Sequence, residues 1–406
     1  MQDRVRAAIG AAADRRLAFL AELVRVPSDN PPGDCAPHAA VAARLLEALG
    51  FAVERHEVPA VEVAAVGMRS AVNLVVRHRF GDGPTVALNA HGDVVPPGEG
   101  WSVDPYGGTV RDGRIYGRGA AVSKSDFATY AFALLALCEA GAPLRGTVEL
   151  HLTYDEESGG EIGPKWLLDR DVTRPDMAIA AGLSYAVVTA HNGVLHLEVE
   201  LRGRSAHAAK PETGADALEA ATAVLQALYA HRRGYPAIRS AVAGIGSPNL
   251  VVGLISGGIN TNVVPDRVTL RLDRRIVPEE DPAGVEAELA AVVAAAGRAV
   301  PGVACTVRRV MLARPLVPTL ASERLAEVVS RHASVAFGER IGPVGVPLYT
   351  DARHYAERGI PIVLYGAGAR TFVEAGAHGA DEHVALADLD RATEAVALSL
   401  LELLSG

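Results

Sequence analysis

A chain of 406 residues is too long for one ordinary core and predicts two domains. Its composition, 49% apolar and 21% charged with only 5% aromatic residues, is that of a folded globular protein whose core is built from aliphatic side chains. A formal net charge of −9 argues against nucleic acid and against an anionic membrane surface, since no basic stripe is present to neutralise phosphates. Cys35, Cys138 and Cys305 form no CxxC pair and read as reduced thiols. No apolar run follows Met1 to Arg6, so no signal peptide is expected. The longest charge-free apolar stretch, Phe127 to Cys138, is too short to span a bilayer, and the cytoplasm is the expected location.

In chain order, residues 3–25 and 37–49 carry apolar positions at helical spacing, with Gly50 closing the second helix. Short strands follow at 51–58, 73–77 and 85–90, the last two separated by the turn Gly81-Asp82-Gly83. A long apolar helix over 124–140 precedes a strand over 147–154, an alternation that predicts an α/β layer with a largely buried sheet. The pattern changes near His191. Residues 194–201 alternate apolar and polar, the mark of a half-exposed strand. A helix over 215–232, strands over 249–255 and 262–276, a helix over 282–296 and a strand over 304–310 complete the ferredoxin-like order. Residues 192–312 are therefore expected to form a second domain, inserted into a discontinuous first domain of 1–191 and 313–406. The remainder returns to α/β, with helices at 320–336, 351–358 and 386–404 and a strand at 360–365.

Three short segments carry chemistry. His91, in Asn89-Ala90-His91-Gly92-Asp93, follows a strand and can sit at the carboxyl edge of a sheet, where α/β proteins place ligands. Asp93 is spaced to accept a hydrogen bond from the other ring nitrogen, which would fix the tautomer. Glu156 and Glu157 also end a buried strand; adjacent carboxylates there are costly as packing, but suit one metal ligand beside one general base. His378 lies in a Gly-rich loop with Glu382 four residues on. Taken singly these also read as a turn histidine, a solvated acidic turn and a surface loop. Together they point to a metal-dependent hydrolase.

The order of these segments resembles the family of aminoacylase, acetylornithine deacetylase, succinyl-diaminopimelate desuccinylase and glutamate carboxypeptidase. The similarity extends to Val24-Arg25-Val26-Pro27-Ser28, to the run from Asp112 to Ala120, and to Ser205-Ala206-His207. It continues through Gly257-Gly258 with Asn262 to Pro265, and Asp273 to Arg275. The resemblance implies an α/β fold: a mixed-sheet catalytic domain with an inserted ferredoxin-like α+β lid that carries a homodimer contact. It implies that His91, Glu157 and His378 ligate metal, that Asp93 orients His91, and that Glu156 is the general acid/base acting on a metal-held water. It also implies that His207 reaches across the dimer to the scissile carbonyl oxygen, and that Asn262 and Arg275 meet the substrate, Arg275 being suited to a carboxylate.

Two family ligands are absent. The bridging aspartate is replaced by Val122, and the position of the other acid falls on Ala181-Gly182. Asp126, one helical turn beyond Val122, is the nearest substitute ligand, but its position favours the reading of a first-turn acid stabilised by the helix dipole. The expected cofactor is zinc, one ion rather than two, with manganese or cobalt as alternatives and a metal-free site as a further one. The expected activity is hydrolysis of the amide bond of an N-acyl amino acid, small peptide or related amide, probed against two alternatives. These are a non-hydrolytic enzyme on the same scaffold (amide formation, elimination or cyclisation) and an inactive small-molecule-binding protein. Tyr349 to Arg353 resembles a loop at the family's active-site floor and also reads as a helix start capped by Thr350.

Overall fold

The computed structural model describes residues 1–371 and 373–405. The chain divides into two compact units, one of Met1–Thr189, Pro318–Val344 and Thr350–Gly406, the other of Ala190–Val317 and Gly345–Tyr349. Residues 345–349 therefore lie outside the unit in which the sequence places them. Backbone pairing is the reason: Gly345 N donates to Ala243 O at 2.7 Å, and Asn192 N donates to Val346 O at 3.2 Å.

The larger unit is built on an eight-stranded mixed sheet. From edge to edge its strands are Val53–Glu57, Val72–Arg79, Thr147–Thr153, Thr85–His91, Met177–Ala180, Ile362–Leu364, Val187–His191 and Pro343–Val346. The strand Thr85–His91 is parallel to both its neighbours, with Leu88 opposite Leu150 on one side and Ile179 on the other. Ile362–Leu364 extends the parallel set beside Met177–Ala180, and the first two strands are antiparallel additions. Leu88, Leu150 and Ile179 are fully buried, as strands covered on both faces require. Because the central strands are parallel, His91, Asp155 and Ala181 emerge together at their carboxyl ends.

The helix Lys124–Glu139 is apolar around its whole circumference and correspondingly buried, packed by the helices Ala13–Val24 and Leu386–Leu404. Phe19 meets Phe132 edge to face at 5.7 Å. The single helix expected over 3–25 is two, Gln2–Ala11 and Ala13–Val24, broken at Ala12 with φ −96 and ψ 4. Gly10 weakens the helix just before the break. The fully buried Arg16 repairs it, donating to Ile9 O at 3.4 Å and pairing with Asp390.

A small three-stranded sheet joins His383–Ala385, Arg114–Tyr116 and Thr109–Arg111. Its hairpin turns through Asp112 and Gly113, at φ 50 and 70, the geometry of a two-residue turn with both central residues left-handed.

The smaller unit has the ferredoxin-like order, its four-stranded antiparallel sheet running Asn249–Gly257, Arg267–Ile276, Gly193–Arg202, Ala304–Ala313. Leu195, Leu197, Val199 and Leu201 face the core with no exposure, and the intervening His196, Glu198 and Glu200 face outward. The helices Ala217–Arg232 and Pro282–Gly297 cover the inner face, each started by an aspartate cap. Asp216 accepts from Leu218 N at 2.8 Å and Asp281 from Gly284 N at 2.9 Å. Among the described residues no helix is long and apolar enough to cross a membrane.

Candidate active site

His91 is the last residue of its strand, and Ser123 grips its backbone from both sides: His91 N donates to Ser123 Oγ at 3.1 Å, and Ser123 Oγ donates to His91 O at 3.0 Å. The ring Nδ1 lies 3.0 Å from Asp93 O and 3.4 Å from Asp93 Oδ1. With its proton directed to Asp93, the imidazole leaves Nε2 as the nitrogen available to a ligand. Asp93 has no exposed surface and holds more than the histidine. Its Oδ1 accepts from Glu156 N at 3.2 Å, and its Oδ2 from Glu157 N at 3.2 Å and Asn30 Nδ2 at 3.0 Å. One carboxylate thus orients the histidine and fixes the turn that carries both glutamates. Burial works upward on the Asp93 carboxyl, but His91, Asn30 and the Glu157 amide outweigh it and hold it below the usual range.

Ligand atoms of His91, Glu156 and Glu157 all lie within 4.8 Å of one another. His378 lies outside that group but touches one member of it, its Nε2 being 3.1 Å from Glu157 Oε1. Burial, together with the charges of Asp351, Glu157 and Asp93, lifts the Glu156 carboxyl well above the carboxylate range, against the pull of His91. Burial opposes protonation of His91, yet the Asp93 hydrogen bond and the charges of Glu156, Asp93 and Glu157 raise its pKa well above the ordinary value. The hydrogen bond that His378 donates to Glu157 likewise raises the His378 pKa. The pocket favours positive charge, and its two imidazoles and one carboxylate are a donor set suited to a divalent ion.

The opposite flank does not supply oxygen ligands. Val122 packs with Ala121, Ala369, Ala375 and Ala377 in a small apolar cluster. Ala181 N donates to Asn89 O at 2.8 Å and Gly182 carries no side chain. Asp126 lies outside the His91, Glu156 and Glu157 group. Its Oδ1 accepts from Ala367 N at 2.6 Å and its Oδ2 from Gly182 N at 3.3 Å. Burial pushes its carboxyl up to about 7, with those two amides pulling the other way. Among the described residues the side chains grouped closely enough to hold an ion are His91, Glu156 and Glu157, and neither Val122 nor Ala181-Gly182 brings a side-chain oxygen.

Several residues that shape the site lie in segments the sequence singles out, but in roles it does not specify. Asp351 lies so close under the turn after the glutamates that a Cβ on Gly160 would fall 1.9 Å from its Oδ1. Burial pushes Asp351 up to about 7, against Arg353. Arg353 donates to Gly159 O, securing the same turn. Thr350 Oγ1 accepts from Ala352 N at 3.2 Å, but the helix is Ala352–Ala356 with Asp351 at its N-cap, one residue later and shorter than expected. Arg118 and Glu382, buried together, join the loops of Val122 and His378.

In the smaller unit, His207 and Val263 form an isolated β-bridge, and Ala208 N donates to Asn262 O at 3.0 Å, which brings the segments of His207 and Asn262 together. His207 Nδ1 accepts from Ala209 N at 3.0 Å, so its proton resides on Nε2. Arg275 is paired with Asp273, Nε to Oδ1 at 2.9 Å and Nη2 to Oδ2 at 3.2 Å, and Asp273 also meets His196 at 3.1 Å.

Comparison with known proteins now defines the class. Residues 87–402 match peptidase family M20/M25/M40. The succinyl-diaminopimelate desuccinylase of Gluconacetobacter diazotrophicus is 30% identical over 400 residues, covering 96% of this chain and 97% of that protein. The acetylornithine deacetylase of Myxococcus xanthus is 32% identical over 367 residues, covering 89% and 90%. Among solved structures, the M20 family metallo-carboxypeptidase Sso-CP2 of Sulfolobus solfataricus superposes with a TM-score of 0.76 at 19% identity, covering 95% of this chain and 98% of that one. Human carnosine dipeptidase 1 gives 0.74 at 19%, covering 99% and 98%. These structural likenesses carry the fold. The chain is a metal-dependent amidohydrolase in class, and it belongs to peptidase family M20/M25/M40.

Proposed function

We propose that this protein hydrolyses the amide bond of a small N-acyl amino acid or related amide bearing a carboxylate, with a single divalent ion, zinc in the first instance, held by His91, Glu157 and His378. The relatives named for desuccinylation and deacetylation support the substrate class. The observation that carries the reading is the turn held by Asp93, which sets Glu156 beside Glu157 and His91. A bound ion would polarise the scissile carbonyl and acidify a water. Glu156, its pKa raised by burial and neighbouring acids, takes the proton from the attacking water and gives it to the leaving amine. Asp93 keeps His91 in its ligating tautomer. His207 of a second copy of the chain offers Nε2–H to the developing oxyanion. Asn262 positions the substrate, and Arg275, steadied by Asp273, offers its Nη1 end to a substrate carboxylate. Asp126 serves the backbone and not the ion.

The proposed assembly is a homodimer. Val251, Leu254 and Ile255 are 44%, 67% and 56% exposed on the edge strand Asn249–Gly257, an apolar edge that a second copy would cover. Leu254→Arg is expected to shift the sedimenting mass from dimer to monomer; an unchanged mass removes this edge from the interface. The free cysteines Cys35, Cys138 and Cys305 fit a reducing cytoplasm.

The test pairs elemental analysis of chelator-free protein with a screen of N-acetyl, N-succinyl and dipeptide substrates, scored by free amine. About one equivalent of metal and amine release are expected. A metal-loaded protein that converts an amide without consuming water would replace hydrolysis with elimination or cyclisation, a reading that the apolar Val122 flank favours over metal-generated hydroxide chemistry. One that only binds the amide would be a binding protein.

A further inference from the structure

His378 is placed by its backbone. Its side chain is 53% exposed, and among the described residues its ring hydrogen-bonds to Glu157, so packing does not fix it. The residue has φ +60 and Asp381, three residues on, has φ +56. Both are in the left-handed region, where a non-glycine residue is strained and persists only if its surroundings over-determine it.

What over-determines this loop is a buried pair. Arg118 Nη2 donates to Gly379 O, the carbonyl next after His378, at 2.9 Å and to Pro97 O at 3.1 Å. Its Nη1 donates to Glu382 Oε2 at 2.5 Å, and both side chains are 1% exposed. The guanidinium lies 5.2 Å from the centre of the Trp101 ring. Glu382 Oε1 accepts from Ala121 N and Val122 N at 3.0 Å each, and its backbone carbonyl accepts from Gly117 N at 2.9 Å. The loop of His378 and the loop that leads to Ser123, and so to His91, are therefore cross-linked through one ion pair. A buried ion pair contributes little stability over apolar packing of the same volume; what it contributes is a defined geometry.

We propose that Arg118 and Glu382 are positioning residues, a clamp that holds the strained His378 loop so that its imidazole meets the same ion as His91 and Glu157. The proposal rests on the reading of His378 as a metal ligand. Zinc affinity, measured by competition with a chromogenic chelator on the full chain, tests it in wild type, Arg118→Lys, Glu382→Gln, His378→Asn and the two double variants carrying His378→Asn. Asparagine is used at 378 because it tolerates the left-handed backbone. Lysine at 118 keeps the charge beside Glu382 but lacks the fork that reaches Gly379, Pro97 and Glu382 together. Glutamine at 382 removes the charge with little change in shape, and serves should the lysine variant not fold.

Arg118→Lys and Glu382→Gln are each expected to weaken zinc binding by about 10- to 100-fold, as loss of support behind a ligand does. In the His378→Asn background neither should weaken it further, an absence of effect that a merely structural role would not give. Zinc affinity within about twofold of wild type in the folded single variants overturns the clamp, as does an equal loss with and without His378. If His378→Asn itself leaves affinity unchanged, the ligand reading has failed, and the clamp falls with it.

Discussion

Glu156 and Glu157 leave their strand into a site crowded with acids, whereas Val122, one residue before the Ser123 that grips His91, joins four other small apolar side chains. The two flanks are held by different means. The acid flank is held by the carboxylate of Asp93 through the amides of Glu156 and Glu157. The apolar flank is held by Glu382 through the amides of Ala121 and Val122, and by Asp126 through those of Gly182 and Ala367. In each case a buried carboxylate fixes the backbone whatever side chain the loop presents. The fold of the apolar flank thus does not depend on an aspartate at 122, and the backbone of the acid flank is fixed independently of it.

The contrast between flanks is sharpest at Glu156. Glu156→Gln should lower kcat by about 10³-fold with metal content unchanged, the expectation for a proton-transfer group; parallel loss of metal would make it a ligand and erase its distinction from Glu157. Glu157→Ala should instead weaken metal binding by more than about 100-fold in elemental analysis or titration, beyond what loss of an outer-shell partner costs. A partnered carboxylate on the same strand gives a third comparison. Burial works upward on Glu149, but hydrogen bonds from His151 and Thr173 and the charge of Arg77 bring it from 4.5 to about 2. A folded-state pKa below the unfolded one stabilises above pH 4.5 and is lost as pH falls through 4.5 toward 2. Urea unfolding across that window should lose about 3 kcal/mol in wild type and much less in Glu149→Gln; parallel curves would refute the pairing. The smallest effect is expected from Val122→Asp, which returns an oxygen to the apolar flank and should tighten metal binding by about tenfold or raise the stoichiometry above one. No change in either would show that the flank lies beyond reach of the ion.

What the sequence could reveal was governed by whether the signal was local. The alternation from Val194 to Leu201 is a property of one strand with one buried face, and it identifies the ferredoxin-like unit. The segments of His91, Glu156 and His378 were visible because each carries chemistry that packing does not need. The hairpin of Thr109–Arg111 and Arg114–Tyr116 was missed although Asp112-Gly113 is a strong local turn signal, because strands of three residues show no periodicity. The roles of Asp126, Asp351 and Arg118 were beyond reach for a different reason. Asp126 and Arg118 act on backbone groups distant in sequence, at Ala367 and Gly379, and Asp351 lies against the backbone of Gly160; backbone groups leave no mark in a sequence.

The position of the strand Ile362–Leu364 also sets an order of assembly. It lies between Met177–Ala180 and Val187–His191, so the middle of the larger sheet waits for chain that is synthesised after the whole inserted unit. Such long-range closure is slow and leaves strand edges open meanwhile. The side chains proposed as ligands, at 91, 157 and 378, are separated by the same span, so an N-terminal fragment can hold two of them at most. On the ribosome, closure of the proposed site therefore has to await synthesis of residue 378, well after the inserted unit.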